Sequence, residues 1–173
     1  MTENARPIIY LDFDGVLNAI STGVTQLPRI TGFGGYRRVK VSSYTVTWSR
    51  EVLDRLRLLQ DIADIHWLST WRADTAIIER ELPVKLDGWF DFQNDDLSHS
   101  GKLEALLIDQ AEAPRPFIWV DDEEHSYYRA AHRDGLLPEL AEHLLIEPST
   151  FAGLSVGNFE LMEDFLSRHS GAQ

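Results

Sequence analysis

Three apolar runs of this chain each stop on a short polar cluster. Ile8-Ile9-Tyr10-Leu11 stops on Asp12 and Asp14, Ile65-His66-Trp67-Leu68 on Ser69 and Thr70, and Phe117-Ile118-Trp119-Val120 on Asp121 and Asp122. A lysine, Lys102, opens a further apolar-periodic stretch between the second and third clusters. Asp12 and Asp14 stand one residue apart. Like charges that close repel each other, and a divalent cation with oxygen ligands is the usual reason for such a pair. Each cluster alone has a plainer reading. Asp12 and Asp14 could mark a turn, and Ser69 or Thr70 could cap a helix. Asp121-Asp122-Glu123-Glu124 could complement a helix dipole. Lys102 fits that reading poorly, because a cation at a helix N-terminus is mildly unfavourable.

The elements that must position these residues follow from periodicity. Residues 7–11, 64–68, 116–120 and 144–146 read as short buried strands. Helices are expected from Ser49 to about Gln60, over 74–81, from Lys102 to about Gln110, over 123–134 with Gly135 as the C-terminal glycine, and over 156–168. Strands alternating with helices imply βαβ units and a central parallel sheet with helices on both faces, a three-layer Rossmann-like α/β fold. In a parallel sheet the strand tips share one edge, and ligands of open α/β sheets bind at that edge. Residues 18–48 differ in character, being rich in Gly, Thr and Ser, and read as an extended loop with a hairpin at 36–41 and 44–48. Residues 83–98 read as irregular, with a short strand at 89–92. Residues 1–173 are expected to form one domain, with 18–48 as an insert.

Composition narrows the functional classes. The 173 residues contain no cysteine, which excludes disulfides, thiolate metal sites and cysteine nucleophiles. That is compatible with a reducing cytoplasm, the expected location. No basic-then-apolar N-terminal pattern suggests a signal peptide, and no apolar run approaches the roughly 20 residues of a membrane span. The formal net charge of −12 disfavours broad binding to a phosphate backbone. A local basic spot exists at Arg37, Arg38 and Lys40; its plainer reading is a solvated strand edge. Gly32-Phe33-Gly34-Gly35 lacks the Gly-Lys-Ser/Thr that would make it a phosphate loop.

The clusters together resemble the haloacid dehalogenase (HAD) superfamily of phosphotransferases. Asp12-Phe13-Asp14-Gly15-Val16 matches its first motif, Leu68-Ser69-Thr70 its second, Lys102 its third and Val120-Asp121-Asp122 its fourth. Leu11 to Asn18, Ser69-Thr70-Trp71 and Ile118 to Glu123 are similar to one branch, the small HAD domains of bacterial RNA-repair proteins. The resemblance implies a HAD-type phosphatase. Asp12 would be the nucleophile that forms an aspartyl-phosphate, and Asp14 the general acid and then base. Magnesium would be the cofactor, held by Asp12, by Asp14 through its backbone carbonyl, and by Asp121 or Asp122. Ser69 or Thr70 would hydrogen-bond the transferring phosphoryl group, and Lys102 would neutralise charge there. Gly15 would permit the sharp turn beneath the site, and Arg72 could bind substrate phosphate.

Superfamily members often carry a cap domain after the first motif or after the lysine. About 30 residues are available at the first position, enough for a flap, and 18 residues separate Lys102 from Asp121, which a helix and a strand consume. The expected site is therefore open and suited to a large phosphorylated substrate such as an RNA or DNA end. Nucleotides are the next expectation, and a non-catalytic partner module the alternative. His99 could line the site, whereas His125 and His132 fit a packing or surface role better than a metal pair.

Overall fold

The apolar run Ile8–Leu11 forms β1, and all four residues are fully buried. Burial on both faces is what a continuous apolar run demands of an inner parallel strand. β1 pairs in parallel with β4 (Asp64–Trp67) on one side and with β6 (Phe117–Val120) on the other. β5 (Gly88–Trp89) extends the sheet beyond β4, and β7 (His143–Ile146) extends it beyond β6. The result is a five-stranded parallel sheet of order β5-β4-β1-β6-β7. The chain builds outward from β1 on one side, then crosses over to β6. The crevice between the tips of β1 and β6 is therefore the topological switch point. The computed structural model describes residues 5–21, 23–93 and 100–169, and His99 lies outside them.

Alternation along the strands sorts side chains into two helical layers. Ile9, Leu11, Ile65, Trp67, Ile118 and Val120 face α2 (Arg50–Leu59), α3 (Thr75–Glu81) and α6 (Val156–His169). Ile8, Tyr10, Phe117 and Trp119 face α4 (Gly101–Glu112) and α5 (His125–Arg133). The three-layer α/β arrangement expected from the sequence is present. Ser49 and Ser100 cap α2 and α4, their hydroxyls accepting from the N–H groups of Val52 and Leu103 at 3.3 and 3.0 Å. Among the described residues no helix is long and apolar enough to cross a membrane.

The insert after β1 holds the expected hairpin, β2 (Tyr36–Val41) paired antiparallel with β3 (Tyr44–Ser49). Val41, Val46 and Trp48 on one side of it join the main core. The insert also contains a short helix, α1 (Leu27–Thr31), where an extended loop was expected. Its five residues are too few to show a helical period; Pro28 starts it and Gly32, at φ +80°, ends it. β5 also differs, lying at 88–89 rather than 89–92, with the Asp87 and Phe90 N–H groups bonding to the Ile65 and Trp67 carbonyls of β4 on either side of it.

Candidate active site

Ladder hydrogen bonds continue one residue past the strand ends. Asp12 N–H donates to Val120 O at 3.0 Å, Leu68 N–H to Leu11 O at 2.9 Å, and Asp121 N–H to Ile146 O at 3.1 Å. These bonds lock the tips in register, with Leu11 opposite both Trp67 and Val120. The first residues beyond them emerge side by side at the switch point. The Ser69 hydroxyl is buried beside the Asp12 carboxylate and favours its charged form.

Lys102, the second residue of α4, enters from the opposite helical layer. Its ammonium donates to Asp12 Oδ2 at 2.6 Å and to Asp121 Oδ2 at 2.7 Å. Lys102 is 5% exposed, Asp12 6% and Asp121 0%. Two buried carboxylates thus share one ammonium, and the pairing outweighs the unfavourable helix position. The remaining Asp121 oxygen, Oδ1, accepts from the N–H groups of Glu123 and Glu124 at 3.0 and 2.8 Å, which orders the turn into α5. Asp121 therefore holds the turn that leads into α5 and also anchors the lysine.

One ammonium balances only one of the two charges. Burial pushes the Asp12 carboxyl up to about 7; Lys102 opposes this and Asp121 reinforces it. Burial also disfavours the Lys102 ammonium, but Asp12 and Asp121 outweigh it and hold the group above its ordinary value. Asp122 is raised by burial as well, against a hydrogen bond from Thr150. One carboxylate oxygen from each of Asp12, Asp121 and Asp122 lies within 4.8 Å of the others. The cluster is a possible metal site: its donors are hard oxygens, its negative charge is only partly compensated by Lys102, and hard divalent cations take such ligands.

Gly15 makes room for this cluster. Its φ is +69°, and a Cβ there would fall 2.1 Å from Asp122 Oδ2 and 2.3 Å from Asp122 Cγ. A Gly15→Ala substitution therefore strains the turn and displaces Asp122 together. The expected outcome is a loss of roughly 1–3 kcal/mol in urea unfolding, with a weaker magnesium response in thermal melting. An unchanged magnesium response would disconnect Gly15 from the cluster.

Asp14 is placed differently. Its carboxylate is outside the triad and faces a cleft of about 550 Å³ bounded by the hairpin on one side and by Thr70, Trp71 and Ile77 on the other. Asn18 Nδ2 donates to Asp14 Oδ1 at 2.7 Å and Trp71 Nε1 to Asp14 Oδ2 at 2.9 Å. Thr70 is exposed at the cleft, unlike Ser69. Arg72, at φ +46°, reaches the Phe92 carbonyl at 3.3 Å and Asp91 at 4.0 Å, both outside the carboxylate cluster.

The hairpin sits beside the site, with Tyr44 at its tip packed edge-on against Trp71 at a centroid distance of 5.7 Å. Arg37, Arg38 and Lys40 lie exposed on β2, and Arg38 donates to Ser21 O at 3.2 Å. His125 is buried edge-on against Trp119, and His132 is exposed beside Tyr128. The contacts of Asn18, Trp71 and Thr150 were not foreseen from sequence. The available signals are Asn18, a polar residue within Val16-Leu17-Asn18-Ala19, and Trp71, directly after Ser69-Thr70.

The site is thus a buried Asp12–Lys102–Asp121 cluster with Asp122 beside it, at the switch point of a parallel sheet. Comparison of the chain with protein-family models, with curated proteins and with solved structures gives no match.

Proposed function

We propose that this chain is a magnesium-dependent phosphomonoesterase of the haloacid dehalogenase type, working through a phosphoaspartate on Asp12. The observation that carries the reading is the convergence of Asp12, Lys102 and Asp121, from three distant segments, within 2.7 Å contacts. Burying two carboxylates and an ammonium costs several kcal/mol of desolvation, which a merely structural cluster would be better without. Such a cost is commonly retained where perturbed acids do chemistry.

Asp12 and Asp122 would hold the magnesium, with Asp121 committed to Lys102 and to the turn. When bound, the ion supplies positive charge that draws carboxylate and phosphate oxygens together and offsets their repulsion. Asp12 attacks phosphorus; the bond from phosphorus to the leaving oxygen breaks, and its electron pair takes the proton held by Asp14. Water then attacks the phosphoaspartate and gives its proton to Asp14, so phosphate leaves and both aspartates return to their starting states. Ser69 and Lys102 donate to the oxygens that carry charge through both steps. Thr70, at the cleft, is placed to meet the substrate rather than the nucleophile. With no cap domain in the insert, the substrate class is a large one, an RNA or DNA end, and the cationic edge of β2 is a plausible contact for its backbone.

The test uses the purified chain with an aryl phosphate. Hydrolysis is expected with magnesium and is expected to stop when the ion is chelated. Beryllium fluoride with magnesium should raise the melting temperature of the wild type and not of an Asp12→Asn variant. No hydrolysis of any member of a phosphoester panel, together with no beryllium fluoride response, would sink the reading.

A further inference from the structure

We infer that Asn18 and Trp71 are positioning residues that clamp Asp14, and that the hairpin insert serves as the scaffold of this clamp. The inference rests on the phosphatase reading above and adds what holds its acid in place. Asp14 has a donor on each oxygen, Asn18 Nδ2 on Oδ1 and Trp71 Nε1 on Oδ2. A carboxylate oxygen has two acceptor sites, so each donor leaves one free for the proton that must reach the leaving group.

The orientation of both donors is fixed from the hairpin side. The Thr47 N–H of β3 donates to Asn18 Oδ1 at 2.9 Å. A backbone N–H can only donate, so the Thr47 bond holds Asn18 Oδ1 toward β3, and the Asn18 amide has one chemically sensible orientation, with Nδ2 toward Asp14. Asn18 is 8% exposed, which keeps water from competing. The Trp71 ring stands edge-on between Phe13, at 5.8 Å, and Tyr44 of the hairpin tip, at 5.7 Å. Its indole N–H is a donor with no acceptor role, and Asp14 satisfies it. The insert therefore touches the site through Asn18 by hydrogen bond and through Trp71 by packing. A correctly aimed acid matters because misplacement by about 1 Å can cost ~100-fold in rate.

The proton from Asp14 goes to the oxygen whose bond to phosphorus breaks. An alkyl oxygen needs that proton, whereas a dinitrophenolate leaves without it. The experiment compares kcat/KM for ethyl phosphate and for dinitrophenyl phosphate, with saturating magnesium, in the wild type, Trp71→Phe and Asn18→Asp. Trp71→Phe keeps an aromatic ring and removes the donor; Asn18→Asp keeps the acceptor for Thr47, removes the donor and sets a second carboxyl against Asp14. Each variant is expected to lose about 10- to 100-fold on ethyl phosphate, and at least tenfold less than that on dinitrophenyl phosphate. In an Asp14→Asn background, Trp71→Phe should cause no further loss on ethyl phosphate, because the group it positions is already gone. Equal losses on the two substrates, or additive losses with Asp14→Asn, would overturn the clamp while leaving the phosphatase reading intact. A wild type inactive on both substrates would overturn both. Melting temperatures of the variants separate misfolding from misplacement, and if Asn18→Asp melts early the Trp71→Phe result decides.

Discussion

Asp12→Asn is expected to lose at least ~10⁴-fold in phosphatase turnover, the order seen when a nucleophile is removed from a preorganised site. It is also expected to gain stability relative to the wild type as pH rises. Burial lifts the folded-state value of Asp12 to about 7, whereas an unfolded aspartate titrates near ~3.9. Between these values the folded wild type holds a proton that the unfolded chain has lost. Its metal-free stability therefore falls as pH rises through this window, being fully present below it. Asparagine does not titrate, so the difference between variant and wild type isolates this one group from the histidines, whose lowered values act in the opposite sense. The variant should gain roughly 4 kcal/mol on the wild type between about pH 4 and pH 7. Urea unfolding at several pH values, without and with magnesium, measures it. A pH-independent difference would mean that Asp12 is an ordinary ionised carboxylate.

Lys102→Met should have the largest effect on stability. It removes the ammonium shared by two carboxylates whose side chains are 8% and 0% exposed. Breaking a buried ion pair by deleting one partner costs about 3–5 kcal/mol, because the remaining charge is left uncompensated. Magnesium should restore part of that loss, since the ion can take the place of the missing charge beside Asp12. Combining Lys102→Met with Asp12→Asn should also restore part of it, a non-additivity expected of groups in direct contact. On the proposed phosphatase reading, activity should stay low in every combination, because fixed positive charge at the transferring phosphoryl group would be missing. A loss below about 1 kcal/mol in the single variant would show that water already screens the cluster.

Much of the site was legible because it is written in strand ends. A parallel strand buried on both faces is a short apolar run, and its last residue is marked by the first polar side chain. Ile8–Leu11, Ile65–Leu68 and Phe117–Val120 show this directly, and Asp12, Ser69 and Asp121 follow each run. Helix starts were legible for the same local reason, with Ser49 capping α2. Lys102 was marked by being a cation where the helix dipole disfavours one.

What the sequence by itself determined, then, is the layered α/β architecture, the strand tips and the residue types gathered on their common edge, since all of these follow from local periodicity and from the rule that parallel tips align. The tertiary structure alone decided which groups touch. It separated buried Ser69 from exposed Thr70, tied Lys102 to Asp121 as well as to Asp12, and turned Asp14 away from the cluster toward Asn18 and Trp71. It also decided that the hairpin stands beside the cleft and that a short helix, α1, lies within the insert. These outcomes depend on side-chain directions and on contacts between residues tens of positions apart, such as Asp14 with Trp71 and Asn18 with Thr47, and no local pattern in the chain encodes such distances.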